Sequence, residues 1–80
     1  MYEDIGESIR ALILFENGRA LPRSFSWRGR KYQIDNINLE HQEQRGKDLV
    51  FCFAVSASGN NYELSFNSHL LTWTLERTWQ

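Results

Sequence analysis

Cysteine, proline and methionine each occur once in the 80 residues, apart from which the chain is short of every covalent or conformational staple. With Cys52 as the only thiol an intramolecular disulfide is excluded, so packing alone must hold the fold. Long apolar runs are missing as well. The longest, Ala11 to Phe15, is far shorter than the roughly 20 residues a membrane-spanning helix needs. Met1 to Glu7 carries Glu3, Asp4 and Glu7 where a secretory segment would be basic and then apolar, and a cytoplasmic location is expected. Charge of one sign is not in excess either. Nine basic residues against ten acidic ones give a net charge of −1, which argues against a protein working chiefly on polyanions.

What the chain has in quantity is aromatic surface. Three Trp, five Phe and three Tyr supply large apolar area per residue. That matters because a domain this small buries only about 60% of the surface its unfolded chain exposes. Residues 1–80 are therefore read as a single domain. The charges are segregated: Arg19, Arg23, Arg28, Arg30 and Lys31 lie in a stretch with no acidic residue between Glu16 and Asp35.

Turn residues divide the chain into strands. Asn17-Gly18 follows the apolar segment Ile9 to Phe15 and is a strong hairpin signal, since both central positions of a type I′ turn need positive φ. A strand over about residues 8 to 16 is expected, with an amphipathic helix as its rival because Ile5, Ile9, Leu12 and Ile13 also fit a helical stripe. Pro22 lacks a ladder donor and belongs at an edge or bulge. Phe25 to Ile34 reads as a hairpin about Arg28-Gly29, with Trp27 opposite Arg30, Phe25 opposite Tyr32 and Arg23 opposite Ile34. In that register the Arg30 guanidinium is expected over the Trp27 indole.

After Ile34 the apolar parity changes to Ile37 and Leu39, which implies a bulge or break at Asp35-Asn36. The polar run His41 to Asp48 reads as a loop. Leu49 to Ala57 alternates with both faces partly apolar, as in a central strand. A turn at Gly59-Asn60 would pair Val55 with Leu64 and Phe53 with Phe66. A last strand carries Leu71, Trp73 and Leu75. The expected fold is all-β, a five- or six-stranded antiparallel meander closing into a small SH3-like barrel or curled sheet. Its inner face is Phe25, Trp27, Tyr32, Ile34, Phe51, Phe53, Val55, Leu64, Phe66, Trp73 and Leu75.

The string Pro22 to Ile34, together with Phe53 to Phe66 and the Trp73 and Leu75 pair, resembles a bacterial small β-domain family of unknown function. Its members are similar to short stand-alone proteins and to a C-terminal domain of some Y-family polymerase-like proteins of lesion bypass. The resemblance supplies no active site. It implies that Phe25, Trp27, Arg28, Arg30 and Tyr32 matter, and it links a nucleic-acid role to DNA damage tolerance.

Catalytic groups do not assemble in the sequence. Cys52 sits inside a strand, His41 and His69 lie in polar segments, and the three match no zinc spacing, so neither enzyme activity nor a metal or cofactor is expected. Binding is the stronger reading. Trp79 and Arg77, on a terminal strand with little chain left to cover it, are the expected edge for a protein partner or a second copy. The alternative is a nucleic-acid surface in which Arg19, Arg23, Arg28 and Lys31 contact phosphates.

Overall fold

A computed structural model describes residues 2–80. Local chemistry sets its turns. Asn17, Arg28 and Ser58 have φ of 52°, 50° and 51°, and each precedes a glycine that is also at positive φ, the signature of type I′ hairpins. Gly46 begins a fourth two-residue turn. Between these turns and a longer loop at residues 68–71 run seven strands: β1 (Tyr2–Glu16), β2 (Arg19–Trp27), β3 (Arg30–Gln33), β4 (Asn36–Arg45), β5 (Asp48–Ala57), β6 (Asn60–Asn67) and β7 (Thr72–Trp79). All are antiparallel, and no helix forms among the described residues.

The sheet order is β3-β2-β1-β7-β6-β5-β4, so its two edge strands are consecutive in the chain. They meet at Ile34 and Asp35. The Ile34 amide donates to the carbonyl of Arg23 at 2.9 Å, and the next amide, Asp35, donates to the carbonyl of Ser56 at 2.8 Å. One peptide step thus moves the backbone from β2 to β5 and curls the sheet into a half-barrel. This partner switch also brings the count to seven strands, against an expected five or six, because it divides residues 30–45 into β3 and β4.

The strand reading of the N-terminal segment holds, and the helix is excluded. β1 is longer than expected because it pairs with β2 along its second half and with β7 along its first. His41 to Arg45, expected in a loop, instead extend β4 to the Gly46-Lys47 turn. Polar composition does not prevent a strand with only one neighbour, since its side chains meet solvent.

All eleven residues expected on the inner face belong to the core or pack against it. Phe25 stacks on Tyr32 at 5.0 Å, and Trp73 lies 5.0 Å from Phe66 and 5.8 Å from Phe53. The β5–β6 register differs by two residues from expectation: Val55 pairs with Tyr62, Phe53 with Leu64 and Phe51 with Phe66. The turn is Ser58-Gly59, and a two-residue slip leaves every face unchanged.

Two bulges redirect side chains. Leu12 pairs with Ser24 and Ile13 with Pro22, which leaves Arg23 as the extra, exposed residue beside the proline that has no N–H to offer. In β4, Ile37 pairs with Val55 and Leu39 with Ala54, so Asn38 is extra. Leu39, expected inside, is turned out and is 63% exposed. Glu40, Gln42 and Gln44 take the inner parity in its place.

Trp73→Ala should lower stability by about 3 to 5 kcal/mol, a large share of what a small domain has. Chemical denaturation measures it. A variant within about 1 kcal/mol of the parent would contradict this packing.

Candidate strand-docking seam

The half-barrel leaves one seam. β3 pairs with β2 only over Ser24–Trp27, so Arg19 to Pro22 have no neighbour on that side, and β4 pairs with β5 alone. These two free edges face each other across a cleft of about 260 Å³. Arg19 and Ala20 line one wall, Glu40 and Gln42 the other, and Phe51 and Phe53 are at the bottom. The Arg19 guanidinium pairs with the Glu40 carboxylate across the opening. Phe15, opposite Ala20 in the β1–β2 ladder, is 71% exposed. Phe51 is half-buried and Phe53 buried beneath the cleft. Unpaired backbone groups beside an apolar floor are what an added strand uses: its amides and carbonyls complete the ladder, and every second side chain turns toward that floor.

Against such pairing β4 relies on charge alone, and its inward carboxylate, Glu40, is neutralised by Arg19. The strand has neither proline nor lysine, and its only bulge lies at the start, before Leu39. Its outer face is structured instead. His41 Nε2 lies 3.2 Å from Glu43 Oε1, and Arg45 donates to Glu43 at 2.9 Å and to Glu76 Oε2 at 3.1 Å. Ser65 Oγ also donates to Glu76. His41 and then Arg45 hold the Glu43 carboxyl below the ordinary carboxylate range. Within this face Val50 and Cys52 are buried, and burial pushes the Cys52 thiol up.

Trp79 and Arg77 occupy a different setting from the one expected. β7 lies between β1 and β6 and is no edge. Trp79 is half-buried and stacks on Tyr2 at 5.8 Å, while Arg77 pairs with Glu63 and, at 3.4 Å, with Asp4. β1 returns alongside the C-terminal strand and covers what the local sequence leaves open.

The basic residues are not gathered. Arg19 and Arg28 stand at opposite ends of β2, and both are in ion pairs. Arg23 and Lys31 are exposed and make no ion pair among the described residues. Phe25 and Tyr32 are core residues, so they are not available for stacking on bases. Arg28, rather than Arg30, lies over Trp27, at 4.6 Å, and Arg30 lies 5.4 Å from the Tyr32 ring. The sequence reading missed Glu7, which takes both the Trp27 Nε1–H at 2.9 Å and the Arg28 guanidinium at 2.8 Å. Its signal was a carboxylate in step with Ile9, Ala11 and Ile13.

Arg28, and after it Trp27, hold the Glu7 carboxyl below the ordinary range. A folded value below the unfolded one, about 4.3 for glutamate, stabilises the fold above that pH and is lost as pH falls through the folded value. The Trp27 indole N–H resonance should therefore titrate below pH 4.3 or so, and Glu7→Gln should abolish the step. Titration at or above the ordinary glutamate range would contradict the pairing. No family model matches the chain, and neither a curated protein nor a solved structure matches it.

Proposed function

We propose that this protein is a non-enzymatic binding module that receives a β-strand from a protein partner at the free edge of β4. The observation that carries the reading is the seam itself: two unpaired edges, β4 and residues 19–22, flank a cleft floored by Phe51 and Phe53. Edge pairing also accounts for a sequence that forms a strand at His41 to Arg45 without burying it.

A second copy is the strand donor this sequence favours. Antiparallel pairing of two β4 strands about Gln42 sets His41 of each copy opposite Glu43 of the other, Glu40 opposite Gln44, and Leu39 opposite Arg45. No like charges meet in that register. Moving the centre to Glu43 would bring two carboxylates face to face, so charge favours the first register over that one.

Consecutive amides of a strand point to opposite sides, so proline at two adjacent positions separates folding from docking. Of Gln42→Pro and Glu43→Pro, one removes a bond to β5 and should lower the melting temperature. The other takes from the backbone only a seam-facing donor, and it should keep the fold while shifting the light-scattering mass from dimer to monomer; Glu43→Gln, which keeps that amide, controls for loss of the carboxylate. A parent chain that is monomeric at every concentration overturns self-association. If that chain also binds single-stranded oligonucleotides at low salt, and loses them on Arg23→Glu with Lys31→Glu, the basic-surface alternative replaces this reading.

A further inference from the structure

The outer face of β4 and β5 brings together three donor groups that their sequence positions do not announce. His41 and Cys52 are directly opposite each other in the β4–β5 ladder, and Glu43 lies two residues beyond His41 on the same face. One ligand atom from each, a ring nitrogen, a carboxylate oxygen and the thiol sulfur, lie within 4.8 Å of one another. We propose that His41, Glu43 and Cys52 form a binding site for a borderline-soft divalent cation of the zinc type.

The donor set selects the ion. Imidazole, carboxylate and thiolate together suit zinc, whereas magnesium and calcium take oxygen donors. Zinc bonds of about 2.0 to 2.3 Å in a tetrahedron place ligand atoms roughly 3.3 to 3.8 Å apart. His41 Nε2 already lies 3.2 Å from Glu43 Oε1, so the two have only to close on the Cys52 sulfur, by about 1 Å at most. The side chains of His41 and Glu43 are 46% and 41% exposed and have room to do so. Cys52, at the buried end, fixes the site, and the solvent side leaves the fourth position to water.

The surroundings fit a divalent charge. Arg45 holds Glu43 through Oε2, which leaves Oε1 directed at His41, an outer contact of the kind that orients a metal ligand. Arg45 is shared with Glu76, and nearby Glu63 is neutralised by Arg77. Glu43, Arg45 and Glu76 together carry one net negative charge, and the Cys52 thiolate would make it two, which a divalent cation cancels. On binding, the thiol proton leaves to solvent and the neutral His41 ring takes the Nδ1–H tautomer, so that Nε2 offers its lone pair to the ion in place of donating to Glu43. The sequence spacing of His41, Cys52 and His69 matches no zinc motif because the fold replaces His69 by Glu43; His69 instead sits 2.8 Å from Asp48.

Cobalt(II) titration of the full, reduced chain tests the site. One equivalent should give tetrahedral d–d absorption and a near-ultraviolet thiolate-to-cobalt charge-transfer band, and added zinc should bleach both. His41→Ala, at a half-exposed position, should keep the fold and weaken affinity by more than the about tenfold lost with an outer-shell partner. Cys52→Ala should abolish the charge-transfer band. If Cys52→Ala does not fold, the pair His41→Ala with Glu43→Gln decides, and it should bind no cobalt with a thiolate band. Absence of that band in the parent at saturating cobalt overturns the proposal. So does a band that survives the double substitution, or one as sensitive to His69→Ala as to His41→Ala.

Discussion

The backbone of Ile34 and Asp35 gives one amide to β2 and the next to β5, and the rest of the molecule depends on that change of partner. A meander of antiparallel strands has two edges, each a row of unsatisfied donors and acceptors. Here the edges are successive parts of one chain, so joining them curls the sheet and places its inner faces against each other. The join is local. Below it β3 completes the ladder of β2; above it β4 follows β5 and diverges from β2, and the seam is the space between.

The curl makes a thin core sufficient. Val55, Leu64 and Leu75 are fully buried, and the stacked rings of Phe25 with Tyr32 and Trp73 with Phe66 close the interior without a disulfide. The second face is closed differently. Val50 and Cys52 lie beneath a polar network in which Arg45 reaches from β4 to Glu76 on β7. A solvent-facing side of the sheet thereby acquires a buried thiol with a histidine and a carboxylate beside it.

What could be read from the sequence was whatever rests on local chemistry. Asn17-Gly18 and Arg28-Gly29 identify their turns because positive φ is demanded there, and the period of two places Phe51, Phe53 and Val55 on one face. The β5–β6 register was ambiguous because Ser58-Gly59 and Gly59-Asn60 are both competent turns that give the same faces. β4 was hidden because an edge strand need not alternate apolar and polar residues, and His41 to Arg45 bury none. Trp79 was misplaced for a different reason. Its neighbour Tyr2 lies at the other end of the chain, and no local pattern reports a pairing of that span. The open seam and the donor cluster share this origin, since both arise where distant strands meet or fail to meet.

Amide hydrogen exchange along β4 tests the open seam most directly. In the free chain, successive amides from Leu39 to Arg45 should alternate between slow exchange, where they bond to β5, and fast exchange, where they face the seam, while β7 is protected at both alternations. Uniform protection along β4 in the monomer, or fast exchange on one side of β7, would contradict the account.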